Sequence, residues 1–266
     1  MPELPEVEVA RKTLAPCVRG KKINSVLVAR RQSIRTPLED PELFAAWLKD
    51  RTMEAVERRG KVLVFRLDGG MAMVFHFKLG AMVLCKKETL GETGGVAINF
   101  TDGTSLDFSN LALSEFHLLG DEDLDELGIL KGGADPLERS FNLEKLRNLL
   151  PTKKQLKAAL TDQSRIAGIG NHWADEILWE ARLRPFRRSG DLTEGELSEL
   201  LRQIKSALRE GIRLGGEAGF TDGRGRSGRY RSNVHGRAGA PCPRDSHPIE
   251  AVKKGRTTFW CPACQK

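Results

Sequence analysis

The stretch Val96-Ala-Ile98-Asn-Phe100-Thr-Asp102-Gly103-Thr-Ser-Leu106-Asp-Phe108 reads as a β-hairpin. Val96, Ile98 and Phe100 alternate with small or polar residues, Asp102-Gly103 supplies a tight turn, and Leu106 and Phe108 resume the alternation. Each strand then has one apolar face that must be covered. Working outward, residues 23–30, 62–67, 73–77 and 82–85 are further short β-rich runs. Together they predict a β-sandwich or barrel. A charged helical stretch over residues 5–14 leads into them. Pro5 suits a first helical turn, and Glu6 and Glu8 suit its positive end.

Past residue 120 the pattern changes. An acidic run over 121–126 and then Gly132-Gly133 mark an interdomain connection. Leu143, Leu146, Leu149 and Leu150 share one helical face. A longer helix is predicted over 192–212, with Thr193 and Glu196 as a capping box ahead of an apolar stripe. Residues 221–256 hold nine lysines and arginines against three acids. No internal repeat is present.

The 266 residues are 39% hydrophobic and 30% charged, enough for a core and too balanced for disorder. No run approaches a membrane span of about 18 apolar residues. Met1-Pro2-Glu3 places acid where a signal peptide carries base, so export is not expected. The net charge of +7 suggests a polyanionic partner. Five cysteines, an odd number, argue against a disulfide framework. Cys17 and Cys85 read as buried small hydrophobes.

The other three cysteines crowd the C-terminus. Cys261-Pro-Ala-Cys264 is a two-thiolate knuckle, and Cys242 supplies a third ligand for a tetrahedral zinc ion. His247 is the better fourth ligand, with Asp245 the alternative, because a four-cysteine site would want Cys at 245. Such a short segment buries little core, so the metal would supply much of its folding energy. At the other end, Pro2 follows Met1. Removal of Met1 would expose a secondary amine, a nucleophile able to form an iminium with an aldehyde sugar. Glu3 beside it can handle protons.

Several motifs, in order, resemble the formamidopyrimidine-DNA glycosylase / endonuclease VIII family. They are Pro2-Glu-Leu-Pro-Glu-Val-Glu8, Arg59-Gly60-Lys61, Asp135-Pro136-Leu137, Leu160-Thr-Asp-Gln163, Ala167-Gly-Ile-Gly-Asn171, Ala174-Asp-Glu176, Val234-His-Gly-Arg237 and Gly255-Arg256-Thr-Thr-Phe259. The resemblance implies a multidomain α+β fold, with DNA in the cleft between an N-terminal and a C-terminal part. The catalytic β-sandwich with its leading helix would span 1–120, and a linker 121–140. A helix–two-turn–helix domain would span 141–220, and a basic loop with a zinc finger 221–266. It implies a base-excision repair enzyme, both DNA glycosylase and abasic-site lyase, acting as a monomer on damaged DNA in the bacterial cytosol. Pro2 would form the Schiff base at C1′, Glu3 would move protons, and Lys61 would contact the flanking phosphate. Asn171 and Arg256 would bind phosphates, and Glu6 would lie near the pocket. The rival readings are a lyase with little base excision and a non-enzymatic binder of damaged DNA.

Two stretches depart from that pattern. In His76-Phe-Lys-Leu79-Gly80, Leu79 stands where the family's oxidised-purine branch has a methionine that fills the gap left by the flipped base. Residues 108–114 lack the arginine that pairs with the orphaned base and the phenylalanine that wedges beside it. Leu111, Leu113 or an arginine from 224–231 would have to substitute. Flipping costs a few kcal/mol, least for unpaired bases. The expectation is therefore little dependence on the opposite base, weak 8-oxoguanine excision, and better activity on unpaired or abasic DNA. The 220–230 segment reads as a flexible basic loop.

Overall fold

The computed structural model describes residues 1–36, 39–126 and 132–266. Contacts divide the chain into one unit of Met1–Lys131 with Ala218–Gly228 and a second of Gly132–Glu217 with Arg229–Lys266. The linker expectation over 121–140 falls partly on 127–131, which lie outside the described residues.

The first unit opens on helix α1 (Leu4–Val18), longer than the predicted 5–14. A capping box of Glu3 and Glu6 starts it, and burial of Leu14 and Val18 carries it on to residue 18. Then come β1 (Lys21–Val28), β2 (Ile34–Thr36), helix α2 (Pro41–Leu48), β3 (Thr52–Arg59), β4 (Val62–Leu67) and β5 (Met71–His76). The strands β6 (Met82–Lys86), β7 (Val96–Phe100), β8 (Ser105–Ser109) and β9 (Glu115–Gly120) follow, and then the short helix α3 (Asp123–Glu126). The hairpin forms as expected, with Ile98 opposite Leu106 and Gly103 turning at φ +82°.

The strand order is β2-β9-β5-β4-β3-β1-β7-β8-β6. Strand β1 is the fold line: Lys21 and Lys22 pair with β3, whereas Ile23 to Val28 pair with β7. The two halves face each other across one core. Phe108 of β8 packs its ring against Phe75 of β5 at 5.1 Å and Phe116 of β9 at 5.0 Å. Val7, Leu14 and Val18 of α1 close the same cluster. This is the sandwich with a leading helix. Cys17 and Cys85 are free thiols packed against that core.

The 218–228 segment, read from sequence as a loose basic loop, belongs to this unit. Gly223 N donates to Thr13 Oγ1 at 3.0 Å, and Cys85 N donates to Gly223 O at 2.8 Å. A side chain at 223 would meet Leu14 Cδ2 at 2.6 Å, so glycine is required for the close approach. Asp222 accepts from the backbone of Arg224 and Arg226 and pairs with the Arg226 guanidinium, closing the turn on itself.

The second unit holds α4 (Leu143–Leu149), α5 (Leu156–Leu160), α6 (Asn171–Glu180), α7 (Glu194–Arg213), and the hairpin β10 (Glu250–Lys254) and β11 (Arg256–Trp260). Helix α7 has the predicted Thr193–Glu196 capping box, and Leu197, Leu200, Ile204 and Leu208 are buried. Leu201 stays half-exposed, at the margin of the stripe. In α6, Trp173 and Ile177 are completely buried.

Candidate active site and metal centre

Pro2 is half-buried at the head of α1 and Glu3 is buried. Glu3 N donates to Glu6 Oε2 at 3.0 Å, so Glu6 acts on the helix start and fixes the backbone that carries Pro2. Met1 precedes Pro2, and the secondary amine exists only once Met1 is gone. Lys61 is buried in the β3–β4 turn. A side-chain relay runs from α1 to that turn. Arg58 Nε donates to Glu8 Oε2 at 3.1 Å, and Arg58 Nη1 donates to Gly60 O at 3.3 Å. Burial works to raise the Glu8 carboxyl, but Arg11 and Arg58 outweigh it and hold it below its ordinary value. The sequence reading missed Glu8 and Arg58 as positioning groups, since an acid and an arginine fifty residues apart give no local signal.

His76 ends β5 opposite Val62, beside Lys61. Burial, then the Lys78 charge, lowers its pKa to about 4, with Lys61 adding to the effect. The neutral ring accepts from Lys78 N through Nδ1 at 3.0 Å. Beyond it Leu79 is 56% exposed, available to meet a ligand. Of the suggested substitutes, Leu111 is in the core and cannot reach out, whereas Leu113 is 57% exposed.

In the second unit Asn171 opens α6, where backbone N–H groups favour anions. Gln163 holds the entering loop: its Nε2 donates to Ile169 O at 2.6 Å, and Gly168 N donates to its Oε1 at 3.0 Å. Asn171 Nδ2 and Lys157 Nζ both donate to Thr257 O, at 3.0 and 2.9 Å. Thr257 follows Arg256, so the structure brings the two predicted phosphate ligands to one corner. Asp175, completely buried, anchors it: Lys157 Nζ lies 2.7 Å from Oδ1, and His235 Nδ1 lies 2.8 Å from Oδ2. Burial pushes the Asp175 carboxyl above its ordinary value, although His235 and Lys157 oppose the shift. Asp175 stood within a quoted motif, but nothing near it in sequence announced Lys157 as its partner.

At the C-terminus, ligand atoms of Cys242, Asp245, Cys261 and Cys264 lie within 4.8 Å of one another. Cys242 Sγ and Cys264 Sγ are 3.9 Å apart. Two sulfurs on one tetrahedral zinc, each bonded at about 2.3 Å, sit roughly 3.8 Å apart, so the donor set fits that ion. Burial, then the neighbouring Cys261 and Cys242, pushes the Cys264 thiol up to about 12, so a cation beside it would favour its thiolate. His247, the fourth ligand expected from the sequence, stands outside this cluster. Its side chain is 61% exposed, and its backbone N donates to Asp245 Oδ1 at 3.0 Å. The Cys242-Pro-Arg-Asp245 turn mirrors the Cys261–Cys264 knuckle and aims residue 245 inward. Residue 247 lies past a turn at Ser246, whose φ is +63°.

Residues 1–111 match the formamidopyrimidine-DNA glycosylase N-terminal domain, and residues 133–221 match the H2TH domain of formamidopyrimidine-DNA glycosylase. A formamidopyrimidine-DNA glycosylase of Pelotomaculum thermopropionicum is 37% identical, covering 100% of this chain and 99% of that protein. The MutM (Fpg) protein of Thermus thermophilus superimposes with TM-score 0.85 at 34% identity, covering 99% of this chain and 98% of that one. Lactococcus lactis Fpg, solved with abasic-site DNA, gives TM-score 0.85 at 27% identity, covering 99% of both chains. With both domain matches in order and full-length relatives above 30% identity, the chain belongs to the formamidopyrimidine-DNA glycosylase family.

Proposed function

We propose that the Pro2 amine carries the chemistry of this enzyme. Family membership makes the chain a DNA glycosylase of base-excision repair, and abasic-site lyase activity follows from the family. In the proposed reaction the Pro2 nitrogen attacks C1′ of the damaged nucleotide. The glycosidic bond breaks with its electron pair leaving on the base. Loss of the amine proton and opening of the sugar give the iminium. Glu3 protonates the sugar oxygen and then moves protons during elimination of the phosphates. Lys61 neutralises the flanking phosphate. The observation that carries this reading is the capped start of α1, with Glu3 buried beside Pro2 and the Glu8–Arg58–Gly60 relay reaching the turn of Lys61.

The substrate is damaged DNA, as in the Lactococcus lactis complexes. Leu79 meets it from the first unit, and Asn171 and Arg256 hold phosphates from the second. Zinc, held by Cys242, Asp245, Cys261 and Cys264, supplies a structural cross-link between the two knuckles. No helix among the described residues is long and apolar enough to cross a membrane. Its bacterial relatives support a place in the bacterial cytosol. The test is strand cleavage of an abasic-site duplex by protein freed of Met1. Pro2→Gly should abolish most of it, and unchanged cleavage would overturn the assignment.

A further inference from the structure

Two cysteines lie outside the metal centre, Cys17 on α1 and Cys85 on β6. Both are free thiols, partly exposed and packed against the main core of the first unit. Helix α1 packs on β6. Cys17 stands one turn after Thr13 on the same helix face, and Cys85 shares the inward face of its strand with the buried Val83. A ladder of hydrogen bonds joins the two positions. Cys17 Sγ donates to Thr13 O at 3.3 Å, Gly223 N donates to Thr13 Oγ1 at 3.0 Å, and Cys85 N donates to Gly223 O at 2.8 Å.

The two thiols also meet each other. Cys85 is hydrogen-bonded to Cys17, side chain to side chain. Burial, then that bond, pushes the Cys85 thiol above its ordinary value, with the Lys21 and Arg224 charges opposing. Cys85 therefore keeps its proton, and Cys17 is the sulfur placed to react first. Neither thiol has a part in the Pro2 chemistry or in the zinc centre.

We propose that Cys17 and Cys85 form a reversible disulfide when the chain meets a peroxide, a modification that ties α1 to β6. The Cys17 thiolate attacks one oxygen of hydrogen peroxide. The O–O bond breaks, hydroxide leaves and takes up the proton that Cys17 lost, and Cys17 becomes a sulfenic acid. The Cys85 sulfur then attacks the Cys17 sulfur. The S–O bond breaks, and the hydroxyl departs with the Cys85 proton as water. Two thiols and one peroxide thus give one disulfide and two waters: the sulfurs are oxidised and the peroxide oxygens reduced. In a reducing cytosol such a bond is transient, so the chain needs no standing disulfide framework. The inference is independent of the function proposed above, since no step involves DNA or the Pro2 amine.

The test treats the reduced full chain with hydrogen peroxide, alkylates the remaining thiols, and maps peptides by mass spectrometry without reductant. A cross-linked pair of peptides carrying Cys17 and Cys85 is expected, lighter by two hydrogens and separated by dithiothreitol. It should form about tenfold faster in the folded chain than in urea, because the contact is already made. Cys85→Ser should leave a sulfenic acid on Cys17 that dimedone captures. The bridged chain should melt about 5–15 °C higher than the reduced one. The proposal is overturned if both thiols stay open to alkylation while Cys242, Cys261 or Cys264 oxidises, or if the cross-link forms no faster in the folded chain than in urea. Dimedone capture at Cys85 in Cys17→Ser but not at Cys17 in Cys85→Ser would overturn the order of attack. An unchanged melting temperature would overturn the tie between α1 and β6.

Discussion

His76 and Lys61 share one end of the β4–β5 pair, and their proximity has a consequence for pH. The imidazole is held near pKa 4 in the folded chain, by burial first and the Lys78 charge next, against 6.5 as its ordinary value. The unfolded chain therefore binds the proton first as pH falls. The stabilisation is complete above about pH 6.5 and is lost between there and about pH 4. Urea unfolding at pH 7 and pH 5 should differ by about 2 kcal/mol from this residue. In His76→Gln the difference should shrink by that amount; an unchanged difference would mean that other groups set the acid sensitivity. Residue-scale legibility was uneven. Pro2, Glu3 and Lys61 were nameable because their chemistry lies in short motifs. Leu111 and Leu113 were indistinguishable in sequence, because two leucines two residues apart in an irregular turn carry no period. Only burial separates them, one in the core and one in water.

Among the elements, α1, the β7–β8 hairpin, α4 and α7 followed from alternation, helical period and capping, whereas α2, β3, β9 and the β10–β11 hairpin were not read from the sequence, and neither were the ties between elements. The knuckle at 242–245 is an example. Histidine's stronger affinity for zinc favoured His247, but a two-residue spacer directs position 245 inward. Zinc should be lost in Asp245→Ala, and retained in both His247→Ala and Asp245→Cys, by metal analysis of purified protein. Zinc lost from His247→Ala and kept by Asp245→Ala would restore the original choice. The Lys157–Asp175 pair joins α5, α6 and β11. Replacing Lys157 by Met leaves a buried carboxylate without its cation, which costs about 3–5 kcal/mol. Chemical denaturation should show that loss, and a loss below about 1 kcal/mol, the value of an exposed pair, would place the pair in solvent.

At the scale of the whole molecule, the net charge of +7 and the two-unit chain suit a ligand of repeated phosphates. Each phosphate neutralised should add about −0.9 to the log–log salt slope on duplex DNA. Arg256→Ala should weaken binding to all sequences alike and make the slope shallower by about one. A base-dependent loss with an unchanged slope would assign Arg256 to base reading. The fold class was legible because strand alternation ends and helical periodicity begins near one acidic run. The return of 218–228 to the first unit was not, since a Gly/Arg-rich segment has no apolar period and its docking depends on Thr13 and Gly223 meeting across the chain. The central claim is that the Pro2 amine is the nucleophile. Borohydride reduction of the protein on abasic-site DNA, followed by peptide mass spectrometry, tests it most directly. The account predicts a covalent adduct on the N-terminal peptide at Pro2, greatly diminished in Pro2→Gly; an adduct on an internal lysine, undiminished in that variant, would contradict it.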